Sequence, residues 1–119
     1  MERVSFIEYK GKKFLYMDVS NLDAREMLEN IANAKKIIRS QPEKSVFVLT
    51  DVTGMRFDSE VTTAMKEYVA GNKPYVVASA VVGVTGLKMI VVNSIMKFAG
   101  RKLVLFDTIE QAKDWLVQQ

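Results

Sequence analysis

Apolar and polar positions alternate from Val4 to Tyr9 and again toward Val19 from Phe14, with Lys10-Gly11-Lys12 between them. Period-two patterning on both sides of a glycine turn predicts a β-hairpin. The spacing then changes. Leu28, Ile31, Ala32, Ala34, Ile37 and Ile38 fall on one side of a helical wheel. They predict a helix from about Leu22 to Arg39, capped by Ser20 or Asn21 and ended at Gln41-Pro42. Ser45 to Thr50 (SVFVLT) is a short apolar run, as expected of a strand covered on both faces. Asp51 to Phe57 reads as a loop. Asp58 or Ser59 can cap a second helix, in which Val61, Ala64, Met65, Tyr68 and Val69 are apolar and which Gly71-Asn72 and Pro74 terminate. Tyr75 to Val82 is another buried run, Thr85 to Ala99 a third helix closed by Gly100, and Leu103 to Phe106 a last strand. Thr108 and Gln111 form a capping-box pattern for a final helix ending near Val117.

The predicted order is β-β-α-β-α-β-α-β-α. Strands alternating with helices predict a single α/β domain over residues 1–119, with a mixed sheet whose later strands are parallel, packed against helices. No linker or low-complexity segment interrupts it. Val52-Thr53-Gly54-Met55 and Val84-Thr85-Gly86-Leu87 each follow a buried strand and read as two similar strand-to-helix turns.

Composition changes this picture mainly by what is missing. The 119 residues suffice for one core, and 49% hydrophobic with 26% charged residues is ordinary for a globular chain. There is no cysteine and no histidine. That removes disulfides, thiolate nucleophiles, zinc–sulfur sites, imidazole ligands and the usual general base, so a non-enzymatic protein is expected. The net charge of +3, from 17 basic and 14 acidic residues, is too mild and too dispersed to predict nucleic-acid binding. The groups Lys10, Lys12 and Lys13, Lys35 and Lys36, and Arg101 and Lys102 read as solvated turns and helix faces. MERVSFIEYKGKK has no signal-like apolar stretch, and no run approaches the roughly 20 apolar residues of a membrane span, so a cytoplasmic protein is expected.

Three stretches carry a family resemblance: VFVLTDVTGMRFDSE before an apolar helix, PYVVASAVVGVTGLK, and KFAGRKLVLFDTIEQAKDWL. In this order, over nearly the whole chain, they resemble the STAS family, the fold of bacterial anti-sigma-factor antagonists, and within it the SpoIIAA-like proteins. The resemblance implies a regulatory module with a protein partner of the anti-sigma-like kinase type. It also implies a phosphorylation switch at an Asp-Ser-Ser-Gly-like helix start, where a partner kinase phosphorylates the second serine and so ends partner binding. Here that start is Phe57-Asp58-Ser59-Glu60-Val61: Asp58 and Ser59 fit, Glu60 stands at the acceptor position, and Val61 replaces the glycine. A carboxylate at residue 60 carries part of a phosphate's charge. A register shift of one residue leaves Ser59 as the candidate acceptor. Asp51, Thr53, Asp58, Ser59 and Glu60 are therefore the candidate partner-binding or regulatory residues. Asp, Ser and Glu are also what any helix start favours.

AVVGVTGLK, residues 80–88, looks like a phosphate loop but lacks its spacing. Gly83 and Gly86 are too close for Gly-x4-Gly-Lys-Ser/Thr, Met89 follows Lys88, and no third glycine completes Gly-x-Gly-x-x-Gly. Lys88 falls on the sheet-facing side of its helix and in a first turn, where a cation is disfavoured. An anion or the Asp51 carboxylate would relieve this; otherwise the amine reaches water past the helix end. The helix has an apolar arc wider than one core stripe, with Met89, Met96 and Ile90 at its border. Two readings follow. The first is a protein-interaction module using the Asp51–Phe57 loop and the helix start at Asp58. The second is a carrier of an anionic, lipid-like ligand, since some SpoIIAA-like proteins are grouped with lipid-transfer folds. Thr85, Gly86 and Lys88 would then meet the headgroup and Met89, Val92 and Met96 the tail. The wide arc also suits a homodimer. Asp51, Asp58 and Glu60 are not spaced as a metal site demands, and no metal or cofactor is expected.

Overall fold

The computed structural model describes residues 3–119. Strands β1 (Val4–Tyr9) and β2 (Lys12–Asp18) form the hairpin, with Val4 opposite Met17 and Tyr9 opposite Lys12. Lys10 and Gly11, at φ 49° and 81°, make the tight turn. β2 therefore begins at Lys12, before the alternation from Phe14, because Lys12 and Lys13 complete the pairing with β1.

Helix α1 (Ala24–Arg39) starts later than the expected Leu22, and its cap is Asp23 rather than Ser20 or Asn21. Asp23 accepts from the Glu26 N–H at 2.8 Å, while the Glu26 carboxylate accepts from the Asp23 N–H at 3.3 Å. Ser20 is occupied by Asp18, and Asn21 lies at φ 60°, outside the extended backbone a cap adopts. Then follow β3 (Val46–Asp51), α2 (Ser59–Gly71), β4 (Val76–Val82), α3 (Leu87–Ala99), β5 (Val104–Phe106) and α4 (Ile109–Val117). Asp58 caps α2 and Thr108 with Gln111 boxes α4, as expected. α3 begins at Leu87 rather than Thr85 because Gly86 takes φ 57° and ψ −128°, which no helix continues. Asp23→Ala and Thr108→Ala are each expected to lower stability by about 1 kcal/mol in urea titrations.

The sheet has the order β1-β2-β3-β4-β5, antiparallel at β1–β2 and parallel from β2 onward. Alternate residues of each strand point to opposite faces. Leu15, Met17, Val46, Val48 and Val81 meet α1, α2 and α3 in the main core. Phe14, Leu49, Ala80 and Val82 meet Ala112 and Leu116 of α4 on the other face. Burial on both faces is why these strands read as unbroken apolar runs. Val77 is the exception, 50% exposed, because the register slips between Val46↔Val76 and Phe47↔Ala78 and leaves it bulged.

An ion cluster joins α1 to α2. Lys35 donates to Glu67 at 2.9 Å, Arg39 lies 3.7 Å from the same carboxylate, and Arg39 Nε donates to Asn72 at 3.1 Å. The hydrogen bond from Lys35 holds the Glu67 carboxyl below its usual range. A depressed folded pKa contributes stability above the unfolded value and loses it as pH falls through the folded one. Glu67 is more than half exposed, so the effect is small. Glu67→Gln should remove about 0.5 kcal/mol at neutral pH. It should remove nothing once both proteins are well below pH 4, as urea midpoints against pH would read.

Candidate functional site

The carboxyl ends of β2, β3 and β4 lie side by side and feed three loops that interlock. Asp18 and Asp51 are register partners at the ends of β2 and β3. Each folds its own loop in the same way. Asp18 accepts from Ser20 Oγ at 2.6 Å and Ser20 N at 3.1 Å; Asp51 accepts from Thr53 Oγ1 at 2.6 Å and Thr53 N at 3.0 Å. The repeat is Asp-Val-Ser beside Asp-Val-Thr, and the two turns bond to each other, Asn21 N donating to Thr53 O at 2.9 Å. The echo that structure supports is thus Asp18-Val19-Ser20 with Asp51-Val52-Thr53. Arg3 lies 3.6 Å from the Asp18 carboxylate and donates to Ser20 O at 3.2 Å. Burial, and then the nearby Asp18 and Asp51 charges, push the Tyr16 phenol up.

The third loop closes on the second. Val52 N donates to Val82 O at 2.9 Å, and Gly83, at φ 92°, runs against the Thr53 backbone. Lys88 then reaches back from the first turn of α3 and donates to Val52 O at 3.1 Å. Its partner is therefore a backbone carbonyl, neither an acid nor open water. A cation beside a helix start is offset here by the carbonyl dipole it meets.

Asp51, Thr53, Thr85, Gly86 and Lys88 thus share one edge, with Asp58, Ser59 and Glu60 at the start of α2 above it. Asp58 is used as the cap, accepting from Val61 N at 2.7 Å. Thr53, Ser59, Glu60, Thr85 and Gly86 are exposed. The three apolar candidates separate: Met89 is 39% exposed, Val92 is in the core, and Met96 is half-buried with its sulfur accepting from Leu103 N at 3.2 Å. The most exposed large apolar side chains on α3 are Leu87, Ile90 and Phe98, at 80%, 67% and 63%. Of these the helical wheel singles out only Ile90.

Behind the edge, between the sheet and α2 and α3, lies a cavity of about 40 Å³. Thr50, Tyr68, Asn72, Ser79 and Arg101 bring polar groups to its otherwise apolar wall. It has room for a few water molecules at roughly 10–15 Å³ each, far less than an acyl tail needs. Arg101 donates to Ser79 Oγ at 2.9 Å and to Val69 O at 3.1 Å, and burial pulls its pKa down. Burial pushes the Tyr68 phenol well above its usual range, and its hydroxyl meets Met17 Sδ at 3.6 Å. Among the described residues, no three metal-ligating side chains gather, and no helix is long and apolar enough to cross a membrane.

No family model matches the chain, and no curated protein matches it. Among solved structures it is similar to an uncharacterised protein of the DUF3478 family, with a SpoIIAA-like fold, from Shewanella loihica PV-4. The two share 13% sequence identity at a TM-score of 0.72, over 95% of this chain and 91% of that one. The chain has a SpoIIAA-like fold, as the resemblance of its sequence implies.

Proposed function

We propose that this chain is a non-enzymatic regulatory module that docks a protein partner through the carboxyl edge of its sheet. One observation carries the reading: the edge is rigid and exposed, while its acids are committed to its own architecture. Asp51 serves Thr53 and Asp58 serves the Val61 amide. Glu60 alone is uncommitted, in a chain without histidine or cysteine to work beside it. An exposed, internally braced edge suits recognition, because little conformational entropy is lost when a partner seats on it. The partner class the fold resemblance favours is an anti-sigma-like kinase.

The carrier of an anionic, lipid-like ligand has less support, because the Lys88 amine is engaged by Val52 O and the adjoining cavity is small. A photo-crosslinking residue placed at Ser59 in the native host tests the module. A discrete protein adduct at Ser59, absent when the same residue is placed at exposed Glu43, supports it. No adduct, or identical adducts at both positions, would sink it.

A further inference from the structure

We infer that the outward face of α3 docks an acidic amphipathic helix of the partner. The inference rests on the interaction-module reading and gives that partner its chemistry. Leu87, Ile90 and Phe98 point outward with Ser94 between the last two. At 100° per residue they fall within about 80° of one another, a line roughly 16 Å long. Single exposed apolar residues are ordinary; three large ones aligned on one helix mark an interaction surface.

Charge identifies the occupant. α3 contains no acidic residue. Lys66 of α2 places its amine 5.7 Å over the Phe98 ring. Lys97 immediately precedes Phe98, and the Lys73 amine stands 3.7 Å from where a Cβ on Gly100 would lie. Among the described residues none of these three lysines has an ion-pair partner, as holds for every lysine but Lys10 and Lys35; what sets these three apart is that they gather at one end of the apolar line. The apolar line therefore ends in a cluster of unneutralised positive charge. The α3 helix of a second copy brings no acid to meet it, and a dimer that set Glu60 at the start of the other copy's α2 against these lysines is the outcome that sedimentation tests. A lipid surface has no direction along the helix axis, yet the three amines gather at the Phe98 end, while the Lys88 amine at the other end is tied to Val52 O. A helix with an apolar stripe and carboxylates at one end matches both features and fixes the docking direction.

The test uses the intact chain and fluorescence anisotropy against two labelled peptides of about 18 residues. Both carry leucines at helical spacing on one face, one with glutamates and the other with lysines at one end. Vesicles of equal parts phosphatidylglycerol and phosphatidylcholine are the third probe. The glutamate peptide is expected to bind at least about tenfold tighter than the lysine peptide, a difference of about 1.4 kcal/mol. Ile90→Asp should abolish the binding, and Lys66→Glu with Lys97→Glu should reverse the preference. Ile90 and Lys97 are exposed and Lys66 is half-buried, and circular dichroism confirms the fold of each variant. Equal or reversed affinities, no peptide binding, preferential binding to vesicles, or a dimer in sedimentation that Ile90→Asp dissociates would each overturn the inference. The Ser59 crosslink is read independently, so the module reading stands or fails on its own.

Discussion

Gly83→Ala is expected to cost about 3 kcal/mol, a urea midpoint lower by roughly 2 M at unchanged slope. Two penalties combine. At φ 92° an alanine is strained whatever the space around it. Its Cβ would also stand 2.6 Å from Thr53 N and 2.8 Å from Thr53 Cα, and closer still to Thr53 Oγ1. Backbone atoms cannot swing aside as a flexible side-chain tip can, so one loop must move. Thr53 is held by two bonds to Asp51 and one from Asn21. Movement therefore spreads into all three loops of the edge. Gly86→Ala is the internal control. It too has positive φ, 57°, but nothing lies within 4 Å of its Cβ position. It should show the backbone strain alone, about 1 kcal/mol. Equal losses for the two alanines would mean that the close approach of Gly83 to Thr53 does not lock the edge.

That lock separates what the sequence discloses from what it does not. Strands buried on both faces announce themselves as SVFVLT and YVVASAVV, and the helices as periodic apolar faces, so the order of elements is legible. The cap of α1 is a harder case. Ser20, Asn21 and Asp23 are all good caps, and Asp23 even has Glu26 at capping-box spacing. The choice is settled by partners elsewhere in the chain: Asp18 takes the Ser20 hydroxyl, and Thr53 O takes the Asn21 amide. The pairing of Asp18-Val19-Ser20 with Asp51-Val52-Thr53 is likewise invisible until parallel register places Asp18 beside Asp51. For α3 the sequence reports an apolar arc too wide for one core face, but not which flank is left outside. The tether from Lys88 to Val52 O and the contact of Met96 with Leu103 rotate the helix so that Leu87, Ile90 and Phe98 face solvent. Arg101 reads in sequence as a solvated charge beside Lys102, and the structure corrects this by half-burying it at the cavity wall, where its guanidinium donates to Ser79 and Val69.

Arg101→Ala is expected to cost about as much as the glycine substitution, about 3 kcal/mol, and for a different physical reason. The last carbonyls of a helix have no partner within it. At the end of α2, Tyr68 O accepts from Asn72 N and Ala70 O from Lys73 N, but Val69 O relies on the Arg101 guanidinium. α2 has no basic residue in its own last turn, so this cap comes from the turn between α3 and β5. The same guanidinium holds Ser79 of β4. Alanine leaves a buried carbonyl and a buried hydroxyl without their donor and enlarges the cavity. Arg101→Met separates these effects: it restores most of the volume but no donor, and should recover about half of the loss. If methionine were as stable as arginine, the guanidinium's desolvation would cancel its two hydrogen bonds, and the capping account would fail. The consequence for docking follows from position. Arg101 ties the end of α2 to the central sheet from the foot of α3, so it holds the two helices that present Ser59 and the Leu87–Phe98 line in one frame. Arg101→Met should therefore weaken binding of the acidic peptide by several-fold, although no atom of Arg101 need touch it. Part of the lost affinity is the entropy of reordering two loosened helices and part is the positive charge removed beside Gly100; the charge part should fade as salt is raised and the entropic part should persist.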